Sequence, residues 1–332
     1  MMYAYLEIDI RNIINNILKI GGVKCLVAKS NFYGMGYKAL EFLSQYVEYI
    51  VVANYYEAIQ IMQLSIEPEP KIIIMYDMFE NDESVEENNL FWCIISKEQI
   101  NKMNKLNKTR TFLRTNSFLE LHGMEWETVK EKLSKYRGVF VHINENLNEN
   151  EERELLLIDK YVSEAGKILN IGGSVAEKIV DKLSSAVEYR FAKKVIWDSD
   201  SDTCFSLHLQ ILNRKLNKGY STKIGYKSDS RIVSNRQIYL LNIGYGDWSL
   251  LPRIYEKGIQ IKCSGVVFEI LCYPCMSTCW VACNKKIEQN NIVLFKSKND
   301  VELICRKLEI DVDEFLCSFS MNIERRYKGK GE

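Results

Sequence analysis

Eight short apolar runs, each about the length of a β-strand, recur through the first two thirds of the chain, with helical patterns between most of them. The runs fall at 23–28, 49–53, 71–76, 92–95, 111–114, 138–142, 167–171 and 186–190. Ahead of the first, Ile10, Ile13, Ile14, Ile17 and Leu18 share one helical face, and Gly21-Gly22 supplies a stop. Further helical patterns lie at 37–47, 97–106, 126–136, 151–165 and 175–183, and Asn54 is placed to cap another through Leu64. Strand alternating with helix implies a parallel sheet. Eight such units in one run predict a closed β/α barrel of the TIM type, whose chemistry belongs at the C-terminal ends of its strands.

The last third differs. After the polar run Asp198-Ser199-Asp200-Ser201-Asp202, helical periodicity fades. Strand-like runs at 206–212, 238–243, 259–270 and 279–283 predict a mostly β C-terminal domain over 205–332, with one helix at 299–308. The barrel domain is expected over 10–204. The 44 basic and 44 acidic residues of the 332 cancel, which excludes a nucleic-acid partner held by a general positive field. The cluster Arg325-Arg326-Tyr327-Lys328 reads as a solvated tail. The first residues, Met1 to Glu7, lack a signal-peptide core, and no run approaches the ~18 apolar residues of a membrane span. Ten cysteines are too sparse for a disulfide scaffold and point to the reducing cytoplasm.

The strand ends carry Lys29, Arg114, His142, Gly173-Ser174 and Arg190. Several cations converging on one barrel mouth make a candidate site. Lys29, after five mostly apolar residues, can form a Schiff base with a carbonyl cofactor, or can pack its stem on the barrel rim. His142 is either part of that site or a satisfied core histidine, and Ser174 either an anion ligand or a helix cap. Arg114 either binds an anion or pairs with a nearby carboxylate. Cys272, Cys275, Cys279 and Cys283 have metal-like spacing, but strand alternation and the apolar Trp280-Val281-Ala282 favour buried thiols, and no metal is expected.

The run Val27-Ala28-Lys29-Ser30-Asn31-Phe32-Tyr33-Gly34-Met35-Gly36 resembles the alanine racemase signature around the lysine that holds pyridoxal phosphate (PLP). Leu6 to Ile10 with Asn15-Asn16 is similar to that family's opening strand and helix. Asn242 to Trp248, followed by Pro252-Arg253, is similar to its second signature, and Cys275-Met276 to the start of a third. The resemblance runs in order along nearly the whole chain and implies a barrel plus a β-domain, with the N-terminal strand 1–9 belonging to the latter.

It also implies an activity: racemisation of an amino acid, alanine or a related small one, by two bases on opposite faces, Lys29 and Tyr245. Arg190 would face the cofactor's ring nitrogen, supported by His142. Tyr33, Ser174 and the backbone at Ala192-Lys193 would hold the phosphate, and the tyrosine base, Tyr245, would come from a partner subunit, so that a homodimer with composite sites is implied. Met276 would be a substrate contact. The chain departs from the pattern where Leu121 stands at the arginine for the substrate carboxylate, Arg114 at its supporting lysine, Ser277 at an aspartate and Asp313 at a late tyrosine. Arg114 is therefore expected to take over the carboxylate. A PLP-binding regulator without turnover and a PLP-dependent decarboxylase are the alternative readings, and a ring-nitrogen arginine speaks against the second.

Overall fold

The chain opens with strand β1 (Tyr5–Asp9), in which Leu6 and Ile8 are buried and the residues between them partly exposed, the alternation of a strand with one covered face. The computed structural model describes residues 3–76, 89–102, 107–118, 122–143, 147–173, 175–197, 202–216, 224–227, 236–263 and 265–329. After the helix Ile10–Leu18 come β2 (Val23–Val27), β3 (Tyr49–Val52), β4 (Lys71–Ile74), β5 (Leu90–Ile94), β6 (Thr111–Arg114), β7 (Gly138–His142), β8 (Ile168–Gly172) and β9 (Ala186–Phe191). These eight strands close in sequence order into one parallel barrel. Strands β3, β5 and β6 are buried on both faces, which is why they read in the sequence as continuous runs and not as alternations.

The eight strand positions agree with the sequence expectation to within a residue or two. The connecting helices carry their own start signals. Asn54 accepts a hydrogen bond from the Glu57 amide and caps the helix Tyr55–Met62. Asn148 and Glu151 form a reciprocal capping box at the head of Glu149–Glu164. Where β7 and β8 begin, the backbones pass so closely that a Cβ at Gly138 would lie 2.0 Å from the Ile168 carbonyl oxygen.

The remaining strands are β10 (Phe205–Leu216), β11 (Gln237–Leu241), β12 (Ile261–Cys263), β13 (Val266–Ile270), β14 (Cys279–Cys283), β15 (Asn291–Leu294) and β16 (Glu324–Lys328). They form a sheet in the order β12-β13-β14-β11-β10-β1-β16, with β15 also on β10. The run 259–270, read from sequence as one strand, is instead the hairpin β12–β13, which turns with Gly265 at φ 76°. Strand β16 escaped the sequence reading because none of its residues is fully buried, so Glu324–Lys328 shows no apolar alternation. Trp248, Phe295, Phe315 and Phe319 form an aromatic core, with Trp248 stacked 5.6 Å from Phe319 and edge-on 5.3 Å from Phe295.

Contacts divide the chain into two units. The barrel unit is Ile17–Ser30 and Leu40–Lys194; the β-rich unit is Met1–Asn16, Asn31–Ala39 and Val195–Glu332. Among the described residues no helix is long and apolar enough to cross a membrane. None of the ten cysteines is joined in a disulfide.

Candidate active site

The barrel's strand register sets its interior in rows. Arg190 of β9, Gly172 of β8 and His142 of β7 pair at one level near the C-terminal mouth. One inward-facing position deeper, Glu188, Asn170, Phe140 and Arg114 pair across the same strands and β6. Barrels normally fill such rows with branched aliphatic side chains. Here one side of the interior is polar and cationic.

Arg190 is buried, and both of its terminal nitrogens are engaged. One terminal nitrogen, Nη1, donates to the Asn170 carbonyl at 2.8 Å and to the Asn170 side-chain oxygen, and the other, Nη2, donates to the Val141 carbonyl at 2.6 Å. Its guanidinium lies 3.4 Å over the Phe140 ring. The Nε–Nη2 edge runs along Gly172, where a Cβ would come within 2.9 Å of both nitrogens. Burial pushes the Arg190 pKa down to about 9, which still leaves a cation at neutral pH. The neighbouring His142 is not one of its hydrogen-bond partners. Burial first, then the charges of Arg190, Arg114 and Lys29, push the His142 pKa down to about 4, so the imidazole is neutral at physiological pH.

This shift has a measurable sign. In the unfolded chain His142 titrates near ~6.5, so between that pH and about 4 the unfolded state holds a proton the folded state lacks. Stability is therefore expected to fall as pH drops through this window. Urea midpoints measured from pH 7 to 4 should show the slope, and His142→Gln should flatten it.

Arg114 is only 4% exposed, and its Nε and Nη1 have no hydrogen-bond partner among the described residues. Its guanidinium is 5.2 Å from the Tyr76 ring centre and 5.7 Å from that of Phe140. Orphaned buried donors of this kind cost ~1–3 kcal/mol, and an anion would satisfy them. The nearby Cys93 thiol is pushed up to about 12 by burial and stays protonated.

Lys29 is partly buried and follows β2, next to β9 in the barrel. What comes after it was not legible in the sequence. Ser30, Asn31, Phe32 and Tyr33 all sit in the left-handed region, with φ of 55°, 55°, 52° and 50°. Consecutive non-glycine residues there cost ~1–2 kcal/mol each, about 4–8 kcal/mol in all. The surroundings hold them. The Ser30 amide donates to Glu57 Oε1 at 2.7 Å. Within the β-rich unit, the Tyr37 amide donates to Asn31 Oδ1 at 3.0 Å, Arg325 Nε to the Gly34 carbonyl at 2.9 Å and the Tyr327 hydroxyl to the Met35 carbonyl at 3.1 Å. Arg325 and Tyr327, read from sequence as a solvated tail, therefore grip the turn that carries Tyr33. Phe32 and Tyr33 are buried. Gly34, at φ 76°, has space for no side chain, since a Cβ would lie 2.3 Å from the Leu316 carbonyl oxygen. Gly34→Ala is expected to cost about 3 kcal/mol or more, read as a lowered urea midpoint.

Tyr245 lies in the β-rich unit on a turn pinned by neighbouring backbone. Its amide donates to the Cys275 carbonyl at 3.0 Å and the Gly246 amide to the Met276 carbonyl at 2.9 Å. Gly244 makes this approach possible, because a Cβ would fall 2.2 Å from both carbonyl oxygens. Asp247 Oδ2 accepts from the Gly244 amide at 2.9 Å and closes the turn. The Tyr245 and Met276 side chains are left exposed, at 40% and 64%.

Ala192 and Lys193 are partly buried at the start of the short helix Lys193–Trp197. Gly173, at φ 125°, packs where a Cβ would meet the Ile143 carbonyl oxygen at 2.2 Å. Ser174 and Leu121 lie outside the described residues. The barrel thus brings Arg114, His142 and Arg190 together around Phe140. The sequence reading missed Asn170 and Glu188. Their signal was a polar residue at the inward parity of an apolar strand, two positions before Gly172 and Arg190.

Of the four cysteines with metal-like spacing, Cys272, Cys279 and Cys283 are buried thiols. Burial pushes Cys272 up to about 11 and Cys283 to about 12, and raises Cys279 further. Among the described residues no group of three or more His, Cys, Asp or Glu is placed to hold a metal ion.

Residues 8–144 match the alanine racemase N-terminal domain and residues 205–327 the alanine racemase C-terminal domain. No curated protein matches the chain by sequence. Among solved structures, the Bacillus anthracis alanine racemase with bound L-Ala-P is similar at a TM-score of 0.80 and 16% identity, over 100% of this chain and 96% of that one. The alanine racemase of Clostridium difficile 630 is similar at 0.78 and 22%, over 98% and 96%. The Bartonella henselae alanine racemase, with covalently bound pyridoxal phosphate, is similar at 0.79 and 16%, over 98% and 100%. At these identities the structural likeness is one of fold, and it agrees with the barrel and β-domain described above. The two domain matches together span most of the sequence in the order the fold requires, and by them this chain belongs to the alanine racemase family.

Proposed function

We propose that this protein is a PLP-dependent racemase of alanine or a related small amino acid, working as a homodimer in the reducing cytoplasm. The observation that carries the reading is a lysine and a buried arginine cation on adjacent strands of one barrel, with Lys29 following the end of β2 and Arg190 in β9. A structural relative holding pyridoxal phosphate covalently supports it.

The residues present fit that cofactor. The Nε–Nη2 edge of Arg190 runs along a glycine that a Cβ could not replace, and Gly173 extends the bare backbone. Lys29 would hold the group. Tyr33, Ser174 and the backbone of Ala192 and Lys193 would hold its phosphate. When bound, pyridoxal phosphate supplies an electron sink for the pair left as a proton leaves the α-carbon.

In this reading Lys29 Nζ takes or returns a proton on one face, and the partner subunit's copy of Tyr245 does so on the other through its hydroxyl. Arg190 donates a hydrogen bond to the ring nitrogen without surrendering its proton, because all its protein partners are acceptors. A neutral ring nitrogen weakens electron withdrawal and favours rapid reprotonation, which suits a racemase better than a decarboxylase. His142 is the neutral neighbour of that arginine, and Met276 touches substrate. Arg114 takes the substrate carboxylate, in keeping with its two unsatisfied donors. The exposed Tyr245 and Met276 suit sites completed by a second copy.

The test is an amino-acid panel in heavy water, followed by chiral analysis and mass spectrometry. The reading requires deuterium at Cα together with loss of optical purity. Deuterium-free, optically pure amino acid alongside a visible cofactor band would instead favour the PLP-binding protein without turnover, a reading the leucine at position 121 keeps open.

A further inference from the structure

The acceptors that hold Arg190 are all neutral, but one of them is itself tied to a charge. Asn170, its main partner, has a second contact in the barrel interior. The Asn170 amide nitrogen, Nδ2, donates to Glu188 Oε2 at 2.9 Å. Glu188 is 3% exposed, and its other oxygen, Oε1, accepts from Arg137 Nη2 at 2.7 Å. Arg137 also donates to the Tyr49 hydroxyl at 2.8 Å. A hydrogen-bonded line therefore runs from Tyr49, at the start of β3, through Arg137, Glu188 and Asn170 to Arg190.

The polarity of this line follows from the chemistry of each group. An amide can present either its oxygen or its NH2 to a neighbour. A carboxylate can only accept. With Glu188 ionised by its pairing to Arg137, the Asn170 NH2 must face Glu188, and the Asn170 oxygen is left facing Arg190. The reverse orientation would set oxygen against carboxylate and NH2 against guanidinium, two repulsions in a buried setting.

We propose that Glu188 is a positioning residue for Arg190, acting through the amide of Asn170. Resting on the racemase reading above, this adds a requirement of that reaction: the arginine donates in a fixed direction because a carboxylate deeper in the barrel dictates the orientation of the amide between them.

The test is a charge relocation. Glu188→Gln removes the charge that anchors the Asn170 NH2, so the Asn170 side-chain oxygen is held toward Arg190 less firmly, while the Asn170 and Val141 backbone carbonyls still accept from the arginine. Adding Asn170→Asp restores a fixed side-chain acceptor. The carboxylate now sits beside Arg190, and the introduced glutamine can donate to it through Nε2 while accepting from Arg137 through Oε1. The double variant keeps the total charge and nearly the same shape. It does not restore the Arg137 ion pair, so a purely structural role of Glu188 is not rescued by it.

Two readouts are taken on wild type, E188Q and E188Q/N170D. One is the visible band of bound PLP from pH 6 to 10. The other is the Nη–H signals of Arg190 in 15N-arginine-labelled protein, assigned by their loss in Arg190→Lys and needing no cofactor. The expected result is a displaced band titration and faster exchange of the Nη1–H protons that Asn170 accepts in E188Q, both restored in the double variant. Wild-type behaviour of both readouts in E188Q, or a double variant no better than the single, would overturn the proposal. If E188Q does not fold, the double variant decides alone: a wild-type Arg190 signal supports the proposal and an exchanging one refutes it. A wild type with no PLP band would count against the racemase reading, while the Arg190 signal would still judge Glu188.

Discussion

Lys29→Ala is expected to remove racemisation altogether and with it the visible band of bound PLP. The lysine is assigned both the attachment of the cofactor and one of the two proton transfers, so no remaining residue can replace it. General acid–base catalysis alone contributes ~10²–10⁴-fold, and loss of attachment adds to that. The check is borohydride reduction followed by mass spectrometry, which should find the cofactor on the peptide holding Lys29 in wild type and nowhere in the variant. Tyr245→Phe should behave differently: the band should persist while proton transfer on one face stops. Full two-way activity in Tyr245→Phe would rule out the two-base assignment.

Arg114→Met is expected to separate function from stability. If Arg114 binds the substrate carboxylate, its loss removes a charged hydrogen-bond partner worth ~1.5–3 kcal/mol, a rise of roughly tenfold to a hundredfold in KM. Yet the unliganded fold should become more stable, not less. The guanidinium is buried with two nitrogens unsatisfied among the described residues, and an apolar side chain of similar length removes that penalty. A gain of ~1 kcal/mol or more by urea denaturation, together with weakened substrate saturation, is the expected pair of results. A structural ion pair would give the opposite pair, with stability lost and KM unchanged.

The barrel was legible in the sequence because burial on both faces of a parallel strand forces a continuous apolar run, and the helices between carry their own caps. The strand ends followed, and so did Lys29, Arg114, His142 and Arg190, because a charged residue closing an apolar run is visible in one dimension. The register was not. Row pairing of Arg190 with Gly172 and of Glu188 with Asn170 depends on how neighbouring strands slide past each other, which no single strand records. Asn170 and Glu188 therefore looked like interruptions of apolar strands, and only the closed barrel showed them to be successive links in one hydrogen-bonded line.

The left-handed turn makes the same point more strongly. Residues 30–33 have no intrinsic preference for positive φ, and local sterics oppose it. What holds them there comes from distant parts of the chain, Glu57 for Ser30 and Arg325 and Tyr327 for the glycine and methionine that follow. Sequence by itself determined the class of fold, the position of the lysine and the family. Tertiary structure alone decided the backbone shape around that lysine and the orientation of the arginine on the adjacent strand. Local propensity and apolar patterning are written along the chain, whereas strain and hydrogen-bond polarity are settled only when residues far apart in sequence meet.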